Sequence, residues 1–265
     1  KVVIMENTPR VLKSKAWKDS KELFNLKGYD VTEVLIKASH IKNVEIVGRL
    51  VPQARQRVIA VCVKRSLNAK DKLVLFAKAA AKLEQCVATT LFDVFGTTLG
   101  ETVFVHTRNG KTRAVRSVHE AYPTLRCNCH YRPSKNYAER VGDAGPIADA
   151  HVLGVCDLLK VAGFKDDTWV PESAAQAAKL IGNAVPPPMM TWVLNKLKEV
   201  GILVKKDLRE SRRRTGESTE KTQKGFGIKE KVRTTDKDET VDTRTLATRD
   251  NAESDFACRS SEKER

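Results

Sequence analysis

Four apolar residues, Val2-Val3-Ile4-Met5, follow a single lysine and give way to Asn7, Thr8 and Pro9. The run is short, unbroken and bounded by turn formers, so it predicts a buried β-strand. Val11 to Leu26 reads as a helix that stops at Gly28, a residue suited to helix C-termini. Val31 to Lys37 mixes β-branched and polar residues and predicts a second strand. Val58-Ile59-Ala60-Val61-Cys62-Val63 is apolar at every position, which predicts a central strand covered on both faces. Ala69 to Val87 predicts a helix with Leu73, Phe76, Ala80 and Leu83 on one stripe. Thr102 to Val105 and Thr112 to Val118 flank Asn109-Gly110, a strong hairpin signal. Three more helices are predicted at about Asp149–Val161, Ser173–Leu180 and Met189–Val200. No internal repeat is visible.

The fold class is therefore α/β. At 265 residues the chain makes one large domain or two small ones. No stretch of eighteen apolar residues exists, which excludes a helical membrane span. The six cysteines are irregularly spaced, which fits a reducing, intracellular compartment better than a disulfide scaffold.

Residues 205–265 are polar and charged, with isolated Phe226, Ile228 and Phe256, and are expected to be a disordered tail. The tail carries 17 Lys/Arg against 14 Asp/Glu, so most of the net charge of +15 rests on residues 1–204. A basic folded surface suits polyanions, because neutralising phosphates releases counterions. Arg212-Arg213-Arg214 is a further basic cluster, most simply a solvated charge run.

Three segments carry candidate chemistry. In Leu180-Ile181-Gly182-Asn183-Ala184-Val185-Pro186-Pro187-Pro188, Gly182 and Asn183 are expected at a turn, with the prolines opening a helix. Such a turn offers main-chain groups and an amide to a small ligand. In Gln53-Ala54-Arg55-Gln56-Arg57, alternation places Gln53, Arg55 and Arg57 on one face, leading into the central strand. Two guanidiniums and an amide there suit a phosphate or a base edge. Third, Glu6-Asn7 ends a buried strand, where open α/β sheets place ligand-contacting groups.

Taken in order, these segments resemble the cytosine-5 nucleic-acid methyltransferase family, in its C-terminal half. Glu6-Asn7 is similar to the family's Glu-Asn-Val segment, and Gln53-x-Arg55-x-Arg57 to its Gln-x-Arg-x-Arg segment. Tyr122-Pro123-Thr124-Leu125 resembles the Pro-Thr-hydrophobic element after target recognition. Leu153 through Gly163-Phe164-Lys165-Asp166-Asp167 resembles a Leu-Thr-x-x-Glu…Gly-Phe-Pro-Asp helix and turn. Gly182-Asn183-Ala184-Val185-Pro186-Pro187 is nearly verbatim the final motif. The resemblance covers about residues 1–200.

The resemblance implies a base-flipping covalent mechanism, in which a cysteine attacks C6 of cytosine and S-adenosylmethionine methylates C5. It implies that Glu6 meets the N3 edge of the base, with Arg57 and Arg55 holding the nucleotide and orienting Glu6 as catalytic residues. Asn7, Gln53 and Thr124 would contact substrate, and Gly182, Asn183, Ala184 and Val185 would contact S-adenosylmethionine. The partner would be DNA, with RNA the lesser alternative, and the location intracellular, nuclear in a eukaryote. The implied layout is residues 1–63 as the last strands of a Rossmann-like mixed sheet and 64–148 as target recognition. Residues 149–204 would be helices returning to the catalytic domain, followed by the tail, 205–265.

Several features depart from the family pattern. The nucleophile follows a proline in this family, and no Pro-Cys pair occurs in the sequence; no glycine-rich donor-binding segment occurs either. The expectation is a C-terminal portion, silent alone and completed by the rest of the enzyme or by a complementing subunit. The alternative is a non-enzymatic nucleic-acid-binding remnant. Thr8 stands for Val, Asp157 for Glu, Lys165 for Pro, and Leu180 for a frequent Gln. Cys127-x-Cys129-His130, with His119 nearby, is closer than zinc sites usually space their cysteines and lacks a second pair, so no metal is expected.

Overall fold

The computed structural model describes residues 1–42, 48–105, 113–127, 133 and 137–203, all within the first of two units, Lys1–Val204. The expected tail lies outside the described residues, as do the hairpin tip at Asn109-Gly110 and the pair Cys129-His130.

Strand β1 (Val2–Asn7) is followed by a 3-10 turn (Pro9–Lys13), helix α1 (Lys15–Leu26) and strand β2 (Tyr29–Lys37). The single helix expected from Val11 to Leu26 is thus two pieces. Ser14 divides them: its Oγ donates to Val11 O at 2.7 Å and accepts from Trp17 N at 3.2 Å, capping α1. Strand β3 (Gln56–Lys64) lies between the other two, antiparallel to both, in the order β1-β3-β2.

The register explains the uninterrupted apolar run of β3. Ile59, Val61 and Val63 face one side, with Val2 and Ile4 of β1 and Val34 and Ile36 of β2. Helix α2 (Lys70–Glu84) covers that side through Leu73, Phe76 and Ala80. Val58, Ala60 and Cys62 point the other way and are equally buried. Beside them α1 lays Trp17 over β2, with Trp17 Nε1 donating to Glu33 and Lys21 Nζ 3.0 Å from the same carboxylate. Helix α2, which lies in the interval the resemblance assigns to target recognition, packs in the core of the sheet.

A second core begins at Leu91, just before the one-turn helix α3 (Phe92–Phe95). Strands β4 (Thr102–Phe104) and β5 (Val115–Ser117) pair antiparallel, as the hairpin prediction requires of their flanks. Helix α4 (Val155–Ala162) starts later than the expected Asp149. His151 pairs with Val103 instead, its N–H donating to Thr102 O at 2.9 Å. Gly154 then becomes the N-cap, its N–H held by Asp157 Oδ2 at 2.9 Å.

Helix α5 (Ala174–Asn183) runs through Gly182 and Asn183, which sequence placed at a turn. It ends at Asn183, with Ala184 already extended, and cannot run on because Val185 precedes Pro186 and the residue before proline disfavours the helical region. Pro187 opens α6 (Pro187–Glu199), whose Met189, Trp192, Val193 and Leu197 join the first core. Burying side chains of this size stabilises by roughly 1.5–3 kcal/mol each. Among the described residues no helix is long and apolar enough to cross a membrane.

Candidate active site

Glu6 lies opposite Ile59 on the face of the sheet that carries the first core. Arg57, two residues earlier on β3, shares that face and is its diagonal neighbour. Arg57 Nε stands 2.8 Å from Glu6 Oε1, with side-chain exposures of 11% and 23%. Oε1 itself is buried, so what solvent reaches on Glu6 is Oε2 and the stem. Arg57 Nη1 also donates to Gln56 O at 2.8 Å, which fixes the guanidinium plane. Burial lowers the Arg57 pKa, and the neighbouring Glu6 carboxylate opposes that shift.

Gln53 and Arg55 precede β3 in a segment tied on both sides by main-chain bonds. Ser39 N donates to Gln53 O and Ala38 N to Arg55 O, at 3.1 and 2.9 Å. On the other side Tyr122 N donates to Pro52 O at 2.7 Å and Ala54 N to Tyr122 O at 2.8 Å. Thr124 Oγ1 donates to Ala54 O at 3.3 Å, so Thr124 is partly spent on the same junction.

Gln53, Arg55 and Arg57 are 1%, 4% and 9% exposed, so none of them forms a polar edge. Gln53 Oε1 accepts from Leu125 N at 3.3 Å, and its Nε2 faces Val161 O at 3.5 Å. Arg55 Nη1 donates to Leu125 O at 3.0 Å and to Gly182 O at 3.1 Å. Burial, helped by the charge of Arg57 and opposed by Glu6, brings Arg55 down to about 10. It remains a cation at neutral pH. Asn7, at the strand end, is exposed, and its Oδ1 accepts from Thr8 N at 2.8 Å.

Gly182 is buried, and a Cβ there would lie 2.5 Å from the Arg126 carbonyl carbon and 2.7 Å from Cys127 N. Only glycine lets the last turn of α5 approach that loop so closely. The space beside its Cα is therefore filled by main chain. Asn183 is exposed, and Ala184 and Val185 are half-buried. An open amide next to a small apolar surface fits part of a polar, adenine-bearing ligand such as S-adenosylmethionine.

Sequence reasoning missed the main-chain atoms that organise this junction. Leu125 offers both its N–H and its carbonyl, and Val161 and Gly182 offer carbonyls; every residue carries these groups, so no side-chain signal could mark them. It also passed over the packing of Gly163, a helix-ending glycine at φ +78°. A Cβ there would meet Val51 Cγ2 at 2.8 Å and Pro188 at 3.0 Å. Among the described residues no three His, Cys, Asp or Glu side chains gather to hold a metal ion.

Solved structures similar to this chain include three methyltransferases. S. pombe Dnmt2 methyltransferase shares 12% identity over 76% of this chain and 68% of that one, with a TM-score of 0.47. A Spodoptera frugiperda DNMT2 variant shares 13% over 74% and 66%, with a TM-score of 0.47. Entamoeba histolytica methyltransferase EhMeth shares 13% over 75% and 62%, with a TM-score of 0.45. No match to a curated protein was found. The glutamate at the end of β1, the arginine bound to it from β3 and the Gly-Asn-Ala-Val-Pro-Pro junction between α5 and α6 all fall within residues 1–199. That span matches the C-5 cytosine-specific DNA methylases, the family to which this chain belongs.

Proposed function

We propose that this chain supplies the base-recognition half of a site that methylates C5 of cytosine in DNA. The observation that carries the reading is the Glu6–Arg57 pair. The guanidinium holds one oxygen of a carboxylate in a fixed direction while the accessible side of the same group is free to meet the N3 and amino edge of an extruded cytosine. Pre-orientation of this kind is what recognition of a flipped base requires. Arg55 is a second buried cation behind the pair, and its charge interacts with both members.

Asn183, Ala184 and Val185 would hold S-adenosylmethionine, with Gly182 keeping their turn against Arg126. When bound, that molecule supplies an electrophilic methyl group. Glu6 and Arg57 orient the base, and Asn7, at the end of β1, and Thr124, in the Tyr122–Leu125 segment, would contact it. The attacking thiolate has no counterpart here, since no cysteine of the 265 residues follows a proline. In this reading it belongs to a polypeptide segment other than these residues.

Transfer of a labelled methyl group from S-adenosylmethionine to a cytosine-containing duplex tests the reading. The expected result is transfer when this chain is combined with a segment carrying a Pro-Cys nucleophile and a glycine-rich donor loop, and none by the chain alone. Glu6→Gln should remove it. Transfer by the chain alone, or transfer indifferent to Glu6, would overturn the proposal. Single-stranded RNA run in parallel separates the two nucleic acids.

A further inference from the structure

Arg55 is almost fully buried, yet among the described residues it forms no ion pair. One of its nitrogens, Nη1, is shared between two neutral carbonyls, Leu125 O and Gly182 O, and Nε is buried without an acceptor. A buried cation satisfied so incompletely is costly, and an apolar side chain of similar volume would fill the space at less cost. Packing alone therefore does not account for arginine at this position. A long cationic side chain whose terminal Nη1 reaches two separate main-chain segments at once does.

The two segments joined are those the proposed site uses. Tyr122–Leu125 is the loop that carries Thr124, and it is fixed to the β3 lead-in by the Tyr122 and Ala54 bonds. Gly182 is the last buried residue before Asn183–Val185, and its Cα rests on the main chain just beyond Leu125. A displacement of either segment must stretch an Arg55 bond or press Gly182 against Arg126. Close-packed junctions of this kind move together.

We infer that Arg55 is a positioning residue that couples the Tyr122–Leu125 segment to the Asn183–Val185 segment, so that nucleic acid bound at the first tightens the second. This rests on the reading above. Coupling between two sites is a free energy shared by both, and it is demonstrated only when a ligand at one changes a property of the other.

Amide hydrogen exchange on the 265-residue chain, with and without a short cytosine-containing DNA duplex, reads it directly. Tyr122 and Leu125 report the first segment; Ala184, whose N–H donates to Leu180 O at 3.0 Å, reports the second. In the wild-type chain the duplex should slow exchange at all three. In Arg55→Met it should slow Tyr122 and Leu125 but leave Ala184 at its unliganded rate. Arg55→Lys keeps the charge and a terminal donor able to meet both carbonyls, but on a shorter and less rigid stem, so the Ala184 response should be reduced and not lost. If the methionine variant does not fold, the lysine variant carries the test.

A response at Ala184 unchanged in the variants, or absent in the wild type while Tyr122 and Leu125 respond, overturns the coupling and leaves the proposed function standing. Absence of duplex binding, or binding that slows none of the three amides, overturns both.

Discussion

Arg57 on the central strand and Glu6 on its neighbour form a diagonal ion pair at 2.8 Å, on the same face of the sheet as the apolar core. The pair is half-sheltered, so its geometry matters more than its Coulomb energy, which water still screens on the Glu6 side. Removing Arg57 leaves a partly buried carboxylate without its donor. Arg57→Ala should cost about 1–3 kcal/mol, the usual range for leaving a buried polar group without its partner. Urea unfolding of the variant beside wild type checks this. Glu6→Gln should cost less, because the amide oxygen still faces the Arg57 guanidinium, and a larger loss for Glu6→Gln than for Arg57→Ala would contradict the geometry.

Gly182 gives a sharper steric prediction. A methyl group added there meets main-chain atoms at 2.5–2.7 Å, and a main chain cannot turn aside as a side chain can. Gly182→Ala should therefore destabilise by roughly 1–3 kcal/mol, the range for overpacking, despite the better helix propensity of alanine. Thermal unfolding would show it as a lowered midpoint. A midpoint at or above wild type would mean that α5 can retreat from Arg126.

Gly163 makes a different case. Its φ of +78° disfavours any L side chain, and its neighbours are the side chains of Val51 and Pro188. Gly163→Ala should lower stability, through backbone strain as well as contact. Shortening Val51 to alanine in the same chain would relieve the contact at 2.8 Å but not the strain. The double variant should thus recover less than the full loss, as a double-mutant cycle in unfolding free energy would measure.

These positions show where sequence reasoning reached and where it stopped. Strand β3 was legible because a short run apolar at every position fits only where both faces are covered, and α2 because Leu73, Phe76 and Ala80 keep helical spacing. The start of α4 was not, since His151 is drawn into pairing with Val103, a partner distant in sequence. Alternation marked Gln53, Arg55 and Arg57 as special. It could not tell that Gln53 and Arg55 turn to the carbonyls and amide of other segments while Arg57 alone meets Glu6. Gly182 was recognised by its motif, but its reason, the main chain of Arg126, is a tertiary contact.

Asp143 sets the acid sensitivity of the region around β5. Its Oδ1 accepts from Ala114 N and Val115 N at 2.7 and 2.9 Å, and its Oδ2 from Tyr137 Oη and Arg140 N, both at 2.8 Å. Burial pushes this carboxyl upward, but the bonds from Val115, Arg140, Tyr137 and Ala114 outweigh it and hold the pKa below the ordinary value. The sign follows from which form the fold prefers: a depressed carboxyl stabilises the native chain above its unfolded pKa, about 3.9. That contribution is lost as pH falls through the lower, native value. Asp143→Asn removes it at every pH, because the amide can still accept from Ala114 and Val115 but turns an NH2 toward Arg140 N, which can only donate. The Tyr137 hydroxyl, raised in pKa by its burial and by Asp143, can rotate to accept, so the main loss is at Arg140. The expected outcome is a loss of about 1.5–3 kcal/mol at neutral pH, with a weaker fall in stability below about pH 4 than wild type shows. Urea midpoints measured from neutral pH down to about pH 3 decide it: parallel curves for the two chains would mean that Asp143 holds β5 by shape and not by charge.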